Sequence, residues 1–166
     1  MLGDLQIVKN HGMMKEFDYA LDYKTLDFTN SSTRKLYRIG RGEQGVLLVR
    51  PYTEDICKYW RFKDETTARK SASKIYEMFL DYSRESDFIG MDMARKFLEM
   101  GFTRARRYAN HSSGKKYSET GEVLPQDKDA LTCEKATAAR IFKEYRDLAA
   151  YDSKYVIMRK EWRASE

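Results

Sequence analysis

From Glu65 to Tyr82 the apolar side chains fall at Ala68, Ala72, Ile75, Tyr76, Phe79 and Tyr82, and these spacings line one face of a helix. Asp64 stands where an N-cap carboxylate accepts the free amides of a first turn. A second helix is predicted from near Phe88, carrying Ala94, Phe97 and Leu98. A third is predicted from about Asp129 to Ala150, with Ala138, Ile141, Phe142, Tyr145, Leu148 and Ala149 on one side. The tail from Lys154 to Trp162 reads two ways. Tyr155, Met158 and Trp162 suit a helix, and Tyr155-Val156-Ile157 suits a strand.

The first third has a different pattern. Leu36-Tyr37-Arg38-Ile39 and Val46-Leu47-Leu48-Val49 read as short strands joined by a glycine-rich link, with Pro51 ending the second. The preceding stretch, Phe17 to Phe28, is rich in aromatic residues and aspartate and shows no clean period. It reads as irregular chain whose rings pack onto the body. The segment from Asn110 to Asp129 holds Gly114, Gly121, Pro125 and three serines, and reads as a long exposed loop. The expected fold is therefore α+β, mainly α, with a small N-terminal β-hairpin packed on a helical body. Met14 could serve as a start as well as Met1, so residues 1–13 read as an extension and 14–166 as one globular domain.

Composition narrows the class. Charged residues make up 34% of the 166, above the ~25% of an average domain. Aromatics at 13% supply enough core material to argue against disorder. No apolar run approaches the ~20 residues of a spanning helix, and the N-terminus lacks a secretory pattern. Cys57 and Cys133 lie far apart and suit reduced thiols, so a cytoplasmic protein is expected.

The net charge is +5, from 31 Lys and Arg against 26 Asp and Glu. Its distribution matters more than its size. Between Met91 and Lys116 there are seven bases and two acids, so this segment carries the whole excess. Advancing 100° per residue, Ala94, Phe97, Leu98, Gly101, Phe102, Ala105, Tyr108 and Ala109 share an apolar arc. Arg95, Lys96, Arg104, Arg106 and Arg107 share the opposite arc with Asp92, Glu99 and Thr103. Arginine presents a planar fork of donors suited to phosphate oxygens. Tyr108, Asn110 and His111 add stacking and hydrogen-bonding groups, and Lys115 and Lys116 add charge. Gly101 leaves two options: one long helix with a close neighbour, or a turn at Gly101-Phe102 that makes a loose helix-turn-helix. The basic face could also be solvated or paired with acids elsewhere in the fold.

Gly40-Arg41-Gly42-Glu43-Gln44-Gly45 matches G-x-G-x-x-G. A dinucleotide fold needs a helix after it, whereas a second strand is predicted here. Strand-loop-strand is the setting of a kinase loop, but the chain has no HRD or DFG, and Val49 leads to Arg50 rather than to a lysine. The plain reading is a hairpin loop needing positive φ. The alternative is a phosphate nest, in which Gly40, Gly42 and Gly45 amides work with Arg38, Arg41 or Arg50. No metal or cofactor is expected: His11, His111 and the two cysteines lack ligand spacing, and Asp18, Asp22 and Asp27 suit a surface better than a cation site. Cys57, among Ile56, Tyr59 and Trp60, suits a structural thiol, and Arg61 beside Trp60 and Phe62 suits a cation–π contact.

Four stretches together carry a resemblance. They are Phe17-Asp18-Tyr19 through Asp27-Phe28, LYRIGRGEQGVLLVRPY from Leu36, WRFK from Trp60, and DFIGMDMARKFLEMGFTRARRYANH from Asp87. They resemble a family of uncharacterised bacterial and phage proteins, a domain of unknown function, over most of residues 14–117. That resemblance implies no activity for any residue. The leading expectation is a non-enzymatic protein that binds nucleic acid or another polyanion through residues 91–116. The alternatives are an enzyme or binding protein for a phosphorylated small molecule, using the Gly40–Gly45 loop, and a module that docks an acidic protein.

Overall fold

The structure, a computed structural model, describes residues 16–166. The expected extension at residues 1–13 lies outside the described residues. Six α-helices occur among those described: α1 (Ser31–Arg34), α2 (Tyr52–Cys57), α3 (Glu65–Arg84), α4 (Phe88–Asn110), α5 (Glu134–Ala150) and α6 (Ser153–Ser165).

Three of the four longer helices begin at an aspartate whose side chain accepts a first-turn amide. Asp64 accepts from Thr67 N at 2.8 Å, Asp87 from Gly90 N at 3.2 Å and Asp152 from Tyr155 N at 2.9 Å. The Asp152 cap and the burial of Tyr155 make the tail a helix. The third expected helix starts later than Asp129. Residues 127–133 form turns instead, with Ala130 N bonded to Asp127 O and Cys133 N to Asp129 O.

The apolar faces of α3, α4 and α5 pack against one another. α4 lies at the centre: every residue from Phe88 to Leu98 is buried. Phe79, Phe88, Phe97 and Phe142 are each at most 2% exposed. Removing one such side chain from water is worth about 1.5–3 kcal/mol. Gly101 lies inside α4, so the chain does not turn there. A Cβ at Gly101 would come within 2.2 Å of the Phe142 ring, so its bare Cα is what lets α5 approach.

The β-hairpin does not form. No strand occurs among the described residues, and the fold is helical rather than α+β. The period-two pattern at 37–39 reflects real alternating burial: Tyr37 and Ile39 are buried while Arg38 is half-buried. The backbone there finds its partners on α6 and its C-cap Glu166 rather than on a strand. Trp162 Nε1 donates to Tyr37 O at 3.0 Å, and Ile39 N donates to Glu166 Oε1 at 3.1 Å. Residues 46–49 coil through successive turns, with Val46 N bonded to Glu43 O and Leu48 N to Gly45 O. The stretch before α1 folds back through a 3-10 turn at Tyr23–Thr25. Its rings run from Phe17 to Tyr23, Phe28, Tyr37 and Trp162, with successive centroids 5.3–6.3 Å apart. Trp162 then stacks on Phe88 at 5.2 Å, joining this segment to α4.

Candidate functional site

The polar face of α4 divides along its length. Its N-terminal half is covered by the Gly40–Gly45 loop and the chain before it. Its C-terminal half faces outward.

Under the loop, Asp92 is fully buried. It accepts hydrogen bonds from Tyr37 Oη, from Tyr155 Oη at 2.6 Å and from Arg95 Nε at 3.0 Å. Lys96 Nζ lies 3.8 Å from the same carboxylate. Both cations also reach the loop: Arg95 Nη1 donates to Gly42 O at 3.1 Å and Lys96 Nζ to Gln44 O at 2.7 Å. The Lys96 ammonium sits 5.1 Å from the Phe17 ring centroid and 4.9 Å from that of Tyr37. Burial opposes ionisation of Asp92, but Arg95 and Lys96, with the two tyrosines, outweigh it and hold the carboxyl at about 2. Burial lowers Lys96 to about 7, against the attraction of Asp92 and with the repulsion of Arg95 and Arg163. Burial, followed by the neighbouring Asp92 charge, raises both Tyr37 and Tyr155.

The glycine loop has the expected positive φ at Gly40, Gly42 and Gly45. Three of its carbonyls point at cations of the protein itself, since Arg163 Nη2 also donates to Gly40 O at 2.9 Å. Several amides close turns: Arg41 N donates to Gln44 Oε1 at 2.7 Å and Gln44 N to Arg41 O at 3.0 Å. Gly45 packs on Phe17, where a Cβ would come within 2.2 Å of the ring. Arg38 is half-buried, Arg41 is exposed, and Arg50 pairs with Glu54 at 2.7 Å.

At the outer end of α4, Arg104 and Arg107 are exposed and Tyr108 is 38% exposed. Arg106 turns aside. Its Nε donates to Asn110 Oδ1 at 3.1 Å and its guanidinium also bonds Ala130 O, which ties the loop to the helix. His111 is buried, with Nδ1 3.1 Å from Pro125 O. Lys115 and Lys116 are exposed on that loop, where Tyr117 and Val123 form an isolated bridge. The structure thus brings Arg104, Arg107 and Tyr108 together at the surface and takes Arg95, Lys96 and His111 inside. The long element read as one basic face is two places with different chemistry.

The spacing Asp92, Arg95, Lys96 is the i, i+3, i+4 pattern of helical ion pairs, and it was the available signal for the buried cluster. Tyr37 and Tyr155 gave no sequence signal, because they reach Asp92 only through the tertiary fold. Asp18 and Asp27 cap local turns, accepting from Ala20 N and Thr29 N. No group of three or more metal-ligating side chains forms among the described residues. Cys57 and Cys133 are free thiols. No helix among the described residues is long and apolar enough to cross a membrane.

The family model for DUF4385, a domain of unknown function, matches residues 18–165. The chain belongs to this family. The match spans all six helices of the DUF4385 domain, including the C-terminal third, so α5 and α6 are part of the family's unit. Neither the curated proteins nor the solved structures contain a match to the chain.

Proposed function

We propose that this domain binds nucleic acid or a similar polyanion through the exposed end of α4 and the loop after it, with Arg104, Arg107, Tyr108, Lys115 and Lys116 as the contact residues. One observation carries the reading. Arg104 and Arg107 lie one helical turn apart, both exposed, and neither makes an ion pair among the described residues. Arg34, Arg95 and Arg146, by contrast, are each held by an internal carboxylate. Two guanidinium forks on a rigid helix suit successive phosphates. Arg106 and Asn110 serve as braces in this reading, and Arg95 and Lys96 serve the fold. A cytoplasmic setting fits both the ligand and the two free cysteines.

The test is a salt titration of binding to a labelled oligonucleotide. Affinity should fall linearly on a log–log plot as salt rises, and the double variant R104E/R107E should lose binding while keeping its helical circular dichroism. Salt-independent binding, or undiminished binding by the double variant, would sink the proposal.

A further inference from the structure

We infer that the nucleic acid is single-stranded and lies along a path of cation-flanked aromatic rings from Tyr59, past the Phe62–Tyr108 pair, to Tyr117. This rests on the reading above and names its ligand class.

The segment between α2 and α3 carries the new part of the path. Tyr59 is 39% exposed, with the Lys74 and Lys58 ammonium groups 5.1 and 5.6 Å from its ring centroid. The segment is held in place on α3: Ser71 Oγ donates to Tyr59 O at 2.7 Å and accepts from Arg61 N at 2.9 Å. Three residues on, Phe62 packs against Tyr108 with centroids 6.0 Å apart. Lys135 Nζ lies 4.8 Å from the Phe62 ring and donates to Phe62 O at 3.1 Å. Tyr117, 54% exposed, has Lys116 Nζ 5.6 Å from its ring. At most about 11 Å of chain separates Tyr59 from Phe62, and Phe62 packs on Tyr108, one helical turn from Arg104. Surface rings beside ammonium groups are what a flexible strand needs. Every base offers a π-face to stack, and the cations meet the phosphates between.

The same surroundings disfavour a duplex. A helix must stand clear of its neighbours to enter a major groove about 12 Å wide and 8.5 Å deep. The outer end of α4 is exposed on one face and flanked on its edges. On one edge Thr103 Oγ1 donates to Glu43 Oε2 at 2.8 Å, which sets a carboxylate beside the helix. On another, Phe62 covers part of Tyr108.

The experiment measures fluorescence anisotropy at low salt with labelled poly-dT and poly-rU strands of about 20 nucleotides and a duplex of the same length. The strands should bind at least about tenfold tighter than the duplex. Y59A should weaken strand binding about tenfold and leave duplex binding unchanged, with Y59F close to wild type. The poly-dT and poly-rU arms show which sugar is preferred, and either preference is consistent with the path. Should Y59A fail to fold, K74E on the same platform must weaken strand binding. Duplex binding as tight as strand binding, or no effect of either variant on the strands, overturns the inference and leaves the Arg104–Arg107 reading standing. Binding of no probe overturns both.

Discussion

The Lys96 ammonium donates to the carbonyl oxygen of Gln44 at 2.7 Å, so the basic helix and the glycine-rich loop hold each other. Beneath that contact lies Asp92, which four side chains approach. D92N would leave Arg95 buried without its counter-charge. The expected loss of stability is about 3–5 kcal/mol, read by urea unfolding. The acid limb should change too. Asp92 is held at about 2 in the folded chain, below the usual carboxylate value. It therefore contributes stability that is present above about pH 4 and lost as pH falls toward 2, and D92N should flatten that loss.

Lys96 adds a second rise of stability with pH, in a higher window. Its folded value is about 7, below its ordinary 10.5. Between those values the unfolded chain binds a proton that the folded chain does not, so this group makes stability rise with pH. The rise belongs to the window from about 7 to 10; above it, Tyr37 and Tyr155, both raised, act in the reverse sense. K96M should remove the rise. Thermal unfolding of both proteins at pH 7 and pH 9.5 checks this, and parallel shifts in the two would contradict it.

Gly101 is a packing residue. G101A should cost about 1–3 kcal/mol through overpacking against Phe142, despite the higher helix propensity of alanine. A companion variant, G101A/F142L, should recover part of the loss. Denaturant midpoints of the three proteins give the comparison.

Asp64 and Asp87 both cap helices, yet their removal should differ. D64A should cost about 0.5–2 kcal/mol, the usual range for a cap. D87A should cost more, because Asp87 also accepts from Arg34 Nη2 at 2.8 Å and from Tyr52 Oη at 2.5 Å. Equal losses for the two variants would mean that the Arg34–Asp87–Tyr52 link adds nothing.

The helix α3 was legible because an apolar stripe and a capping aspartate mark it; α4 was legible in its apolar positions, with Gly101 leaving its continuity open. The late start of α5 was not, since turns at 127–133 satisfy their amides through neighbouring backbone carbonyls. The false hairpin has a clear physical origin. Alternating burial of Tyr37 and Ile39 is what a strand pattern encodes, and it does not state what the backbone will bond. Here Trp162 and Glu166 supplied the partners. The basic segment was legible as charge and not as surface. Arg95 and Arg104 look alike on a helical wheel, and only the loop folding over the first half of α4 separates them. The Tyr59 platform was not legible, because Lys74 reaches the ring from α3 only through the tertiary fold.

The hydrogen bonds from α6 and its C-cap Glu166 to residues 37–40 join positions 123 to 127 apart in sequence. Helical proteins usually fold fast because their contacts are local. In this one the segment over Asp92 cannot settle until chain made more than a hundred residues later has arrived. The entropy of closing so large a loop falls on that docking step. During synthesis, residues 37–40 therefore emerge more than a hundred residues ahead of these partners.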